Sequence, residues 1–98
     1  MNFDPKCRFE RNADSFGVEQ DGGLLLLALE TGRYIHLNAT AHAIWQMLAA
    51  PCSFDALCAG LQARFAVDAT RCRSEVSALL TRLVDARLVF VRACEPGL

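Results

Sequence analysis

Hydrophobic and polar positions along this chain change period near residue 38, dividing it into a strand-forming half and a helix-forming half. Phe16 and Val18 alternate within Ser15 to Gln20, a modest strand signal. Leu24 to Leu29 is an unbroken apolar run, the pattern of a buried strand. Arg33, Ile35 and Leu37 alternate with Tyr34 and His36, which makes a third strand. Asp21-Gly22-Gly23 and Glu30-Thr31-Gly32 separate the three as turns, because glycine accepts the positive φ of a tight hairpin. Two short loops in series predict an antiparallel three-stranded meander.

From Ala39 the spacing is helical. Asn38 is a good N-cap, since its side-chain oxygen can accept from the unpaired amides of the first turn. Ala41, Ile44, Trp45 and Leu48 then recur at helical intervals, and the first helix is expected to run to about Ala50, closed by Pro51. Ser53 caps a second helix, Phe54 to Phe65, with Leu57, Leu61 and Phe65 on one face. After Ala66-Val67, Asp68 or Thr70 caps a third, running to about Ala86. Its stripe of Cys72, Val76, Leu79, Leu80 and Leu83 is wide, with Arg71, Ser74, Ser77 and Thr81 nearer the opposite side. Leu88 to Val91 reads as a closing strand. Residues 1–14 are polar, carry Pro5 and Asn12, and read as a loose lead-in; residues 93–98 read as a tail. The expected fold is α+β, one domain over residues 15–92. It is a winged helix-turn-helix with an N-terminal three-stranded antiparallel sheet, three helices and a short C-terminal strand.

The totals agree with a single globular domain. Among 98 residues, 53% are hydrophobic and 21% charged, enough to build a core without metals or disulfides. A net charge of −1, from 10 basic and 11 acidic residues, argues against a nucleic-acid footprint. The five cysteines (Cys7, Cys52, Cys58, Cys72 and Cys94) include no CxxC pair, and that odd set points to a reducing cytosol. Met1 to Pro5 carries no export signal. The longest apolar run, Leu24 to Leu29, falls far short of the ~20 residues that span a bilayer. A cytoplasmic protein with no membrane partner is expected.

Catalysis finds little support in the residues. His36 and His42 lie on different elements with no acid or cysteine at ligand spacing, so a zinc site is not expected. Cys58 and Cys72 fall on apolar helix faces as core residues, while Cys7, Cys52 and Cys94 could be exposed but have no neighbouring base. No paired carboxylates, Ser-His-Asp order or phosphate loop is present. The expectation is no enzyme, no metal and no cofactor. Trp45 is expected to be a core anchor.

Three ordered segments carry a family resemblance. The first is Tyr34-Ile35-His36-Leu37-Asn38 with Ala41, Ile44-Trp45 and Leu48. The second is Ser53-Phe54-Asp55-Ala56-Leu57, Leu61 and Phe65-Ala66-Val67-Asp68. The third is Glu75-Val76, Leu79-Leu80, Leu83 and Leu88-Val89. Together they resemble the PqqD-like family across roughly residues 15 to 91. The resemblance implies a recognition element that binds the leader of a ribosomally made precursor peptide. It would present the leader to a leader peptidase, cyclase or other modifying enzyme. The leader would add as a strand along the third strand, in a cleft completed by the third helix. The Tyr-x-Leu-Asn and Ile-Trp features resemble discrete leader-binding proteins of lasso-peptide pathways. Two positions depart from the family: Arg87 stands where glycine usually follows the third helix, and Glu75 where aspartate is usual.

On that basis the candidate peptide-binding residues are Arg33, Tyr34, Ile35 and His36 on the strand, with Arg73, Val76, Ser77, Leu80, Leu83 and Val84 on the helix. Each has a plainer reading. Tyr34 can be half-buried against the N-terminal segment, the helix stripe is needed for the core in any case, and Arg73 can simply be solvated. A small winged-helix DNA-binding regulator is the competing function. It needs basic and amide side chains along one exposed helix face. Arg71, Arg73, Arg82 and Arg87 instead scatter around the third helix among Asp68, Glu75 and Asp85. Free strand edges also permit a homodimer.

Overall fold

The structure, a computed structural model, describes residues 7–92; residues 1–6 of the lead-in and the expected tail over 93–98, Cys94 included, lie outside them. The elements in order are β1 (Arg8–Arg11), β2 (Ser15–Gln20), β3 (Gly23–Ala28), β4 (Tyr34–Leu37), α1 (Ala39–Met47), β5 (Cys52–Ser53), α2 (Phe54–Arg64), α3 (Ala69–Asp85) and β6 (Val89–Arg92). The fold is α+β, three helices with two antiparallel sheets of order β2-β3-β4 and β5-β1-β6 among the described residues.

The expected meander is present. Leu27 lies opposite Phe16 on one side and Tyr34 on the other, and Leu25 stands likewise between Val18 and His36. Strand alternation sends Leu24, Leu26 and Ala28 into the core under α1. It leaves Phe16, Val18 and Tyr34 exposed on the far face. Gly23 allows a close approach: a Cβ there would collide with the Leu37 carbonyl oxygen.

The first fourteen residues are not loose throughout. Their Cys7 and Phe9 alternate with Arg8 and Glu10, and β1 pairs with β6 (Phe9 opposite Val91) and with β5 (Phe9 opposite Cys52). Phe9 is fully buried, an apolar residue the core claims once β6 lies beside it. Cys7 also departs from expectation. It is buried and disulfide-bonded, whereas Cys52, Cys58 and Cys72 are free thiols.

α1 ends at Met47, short of Ala50. Its last turn tightens, with the Leu48 amide shared between the Ile44 and Trp45 carbonyls and the Ala49 amide reaching Gln46. Arg11 reinforces that end: its Nε donates to the Trp45 carbonyl at 3.1 Å and its guanidinium lies 4.4 Å from the centre of the Trp45 ring. Trp45 is buried, the anchor expected of it.

Asn38, Ser53 and Asp68 cap the three helices, accepting from the amides of Ala41, Ala56 and Arg71 at 2.9, 3.1 and 2.8 Å. α3 closes in a Schellman turn: the Leu88 amide donates to Leu83 and the Arg87 amide to Val84, with Arg87 at φ 61. Buried Asn12 holds this turn from the N-terminal side. Its Nδ2 donates to the Arg87 carbonyl at 2.7 Å and its amide to Leu88 at 2.9 Å. Among the described residues no helix is long and apolar enough to cross a membrane.

Candidate functional site

Among the described residues β4 pairs only with β3, which leaves its other side a free edge. The backbone groups facing that edge follow from the ladder. The Ala28 amide donates to the Arg33 carbonyl at 2.8 Å, and the register continues with Leu26 opposite Ile35 and Leu24 opposite Leu37. In an antiparallel ladder, hydrogen-bonded pairs alternate with non-bonded ones. Arg33, Ile35 and Leu37 therefore turn their amides and carbonyls toward β3, while Tyr34 and His36 turn theirs outward. Side chains alternate as well: Leu37 is buried and Ile35 packs against the core, while Tyr34, 71% exposed, and His36 stand on the far face.

α3 runs past β4 in the opposite direction. Its C-terminal end lies by the β3–β4 turn, where Arg87 Nη1 is 3.7 Å from Glu30 Oε1. Toward its N-terminus, Glu75 lines a hollow with Thr40 of α1. Between the two ends lies a cleft of about 280 Å³. Asn38, Thr40, Ala41 and Ile44 form one wall, directly after β4, and Glu75, Ala78, Leu79 and Arg82 form the other. The floor is apolar, from Ile44 and Leu79, and the rim is polar.

The strand residues expected at the site cluster along the free edge. The helix residues do not share one surface. Val76, Leu80 and Leu83 are fully buried in the core, Ser77 is buried although the pattern set it nearer solvent, and Val84 is half-buried. Arg73 points to α2, pairing with Asp55 at 3.3 Å and lying 5.1 Å from the centre of the Phe54 ring. The flank of α3 facing the cleft is Glu75, Ala78, Leu79 and Arg82. Their i, i+3, i+4, i+7 spacing was readable in the sequence, but nothing there said which flank α2 would cover.

The remaining side chains offer little chemistry. Burial pushes the Cys58 thiol up to about 11, helped by neighbouring Cys72, and also raises Cys52 and Cys72. Such thiols stay protonated at neutral pH and are poor nucleophiles. Among the described residues no three His, Cys, Asp or Glu side chains converge as metal ligands. Among the described residues, Arg71, Arg73 and Arg87 pair with Glu75, Asp55 and Glu30, which leaves Arg82 as a lone cation rather than part of a basic face for DNA.

The family model for coenzyme PQQ synthesis protein D (PqqD) matches residues 23–89. The chain belongs to the PqqD family. The matched span of this PqqD-family chain holds β3, β4 and all three helices, and so both walls of the cleft. No curated protein matches it. Two solved structures share its fold. TbiB1, in complex with the TbiA(beta) leader peptide, aligns with TM-score 0.76 and 23% identity, over 86% of this chain and 98% of that one. A lasso peptide synthetase B1, complexed with the leader peptide, aligns with TM-score 0.71 and 27% identity, over 84% and 96% of the two chains.

Proposed function

We propose that this PqqD-family protein is a non-catalytic recognition element for the leader of a ribosomally made precursor peptide. The leader adds as a strand to the free edge of β4 and lies in the cleft against α3. Held there, it is delivered to a leader peptidase, cyclase or other modifying enzyme, as in lasso-peptide biosynthesis. In this reading the helices and the β1–β6 pair correspond to a winged helix-turn-helix, with the meander set in front of it. The carrying observation is the outward set of amides and carbonyls at Tyr34 and His36, next to a cleft with an apolar floor. Main-chain pairing supplies affinity there and alternate side chains supply specificity. The kinship with two proteins solved as leader complexes supports the same reading.

The test is a proline substitution placed by the ladder. His36→Pro removes an outward amide and leaves the β3–β4 bonds in place, as proline is tolerated on an edge strand. Titrated by calorimetry with the leader of a precursor encoded beside this gene, it should bind at least about tenfold more weakly, for one charge-free hydrogen bond and its neighbours. Its melting temperature should stay close to that of the unsubstituted protein. A folded His36→Pro protein with undiminished leader affinity would refute strand addition at β4.

A further inference from the structure

Within the cleft beside β4, the charges are not balanced. Glu75 is engaged by Arg71, whose Nε lies 3.2 Å from its Oε1. Arg82, at the other end of the same wall, is exposed and makes no ion pair among the described residues. It therefore stands as an uncommitted cation at the rim of a cleft floored by Ile44 and Leu79.

We infer that Arg82 is the specificity-determining residue of this cleft, selecting extended peptides that carry an Asp or Glu two positions from an apolar side chain. The inference rests on the strand-capture reading above and adds the chemistry of the peptide to it. The spacing comes from comparing two repeats. Residues one turn apart on a helix, such as Ala78 and Arg82, place their Cβ atoms about 5–6 Å apart. Side chains on one face of a strand recur about every 6.6 Å, two residues at roughly 3.3 Å each. An extended peptide along the groove thus sets one side chain over Ala78, Leu79 and Ile44, and the next on the same face beside Arg82. The first site is apolar. The second favours a carboxylate, which the guanidinium can meet with two parallel N–H donors. A Lys or Arg at that peptide position meets an unpaired like charge instead.

The test uses a displayed library of random twelve-residue peptides, panned against the unsubstituted protein, Arg82→Glu and Arg82→Gln. The unsubstituted protein should enrich an apolar residue two positions from Asp or Glu, and Arg82→Glu should enrich Lys or Arg at the acidic position. The best unsubstituted-protein peptide, titrated against Arg82→Glu, should bind roughly three- to tenfold more weakly, the range expected of a part-exposed charged contact. Its Asp-to-Lys or Glu-to-Lys counterpart should recover that loss. Arg82→Gln gives the same readout, with loss of acidic preference alone, should Arg82→Glu not fold. Enrichment of one motif with the same charge preference in all three proteins overturns the role of Arg82 while leaving strand capture standing. Enrichment of no peptide by the unsubstituted protein overturns the strand-capture reading, and this inference with it.

Discussion

Arg87 occupies a backbone conformation, φ 61, that L side chains adopt at a cost and glycine adopts freely. It stays there because the surrounding contacts over-determine the turn. Leu88 is fully buried, its amide closes on Leu83, and Asn12 grips the Arg87 carbonyl. Arg87→Gly should therefore raise stability by about 0.5–1 kcal/mol, measured by urea unfolding. The Glu30 pair it removes is exposed and offsets little of that gain. The sequence marked the position, since the family usually has glycine there. It did not reveal the outcome, because the left-handed turn is imposed by Asn12 and Leu88, residues whose packing a local pattern does not encode. The caps were more legible: Asn38, Ser53 and Asp68 each act on an amide three residues on, a purely local geometry.

Where α2 meets α3, two thiols face each other across the helix pair, with Cys72 Sγ 3.4 Å from the Cys58 carbonyl oxygen. Their burial ties this contact to alkaline pH. The Cys58 thiol titrates at about 11 in the fold against an ordinary 9.0, so the unfolded chain loses its proton first. Stability is then full below pH 9 and falls as pH rises toward 11. Urea unfolding across pH 8 to 11 should show this decline, and Cys58→Ala should flatten part of it. The same helix pair explains what was legible at the candidate site. Period-two alternation gave β4 and its inward and outward side chains directly. The stripe on α3 was also legible, but two flanks border it. Asp55 and Phe54 of α2 engage Arg73, which leaves Arg82 to the cleft, and that choice depends on helix packing rather than on helical period.

At the scale of the molecule, residues 7–14, ahead of the meander, pack into the fold. β1 lies between β5 and β6, Phe9 is fully buried, and Arg11 seals the end of α1 over Trp45. Phe9→Ala should cost about 3–5 kcal/mol in chemical denaturation, as expected for emptying an aromatic site in a packed core. A cost below about 1 kcal/mol would place β1 outside the cooperative unit. Four residues, three of them charged, make too short a run to read as a strand. The partners that confirm β1 lie more than forty residues away, in β5 and β6.

Arg8 stands opposite Arg92, so the chain enters and leaves the described fold through neighbouring antiparallel strands. Both strands belong to the sheet that does not contain β4. A domain tethered in this way can be spliced into a loop of a larger chain through two short linkers, or fused at either side, with the free edge of β4 still open.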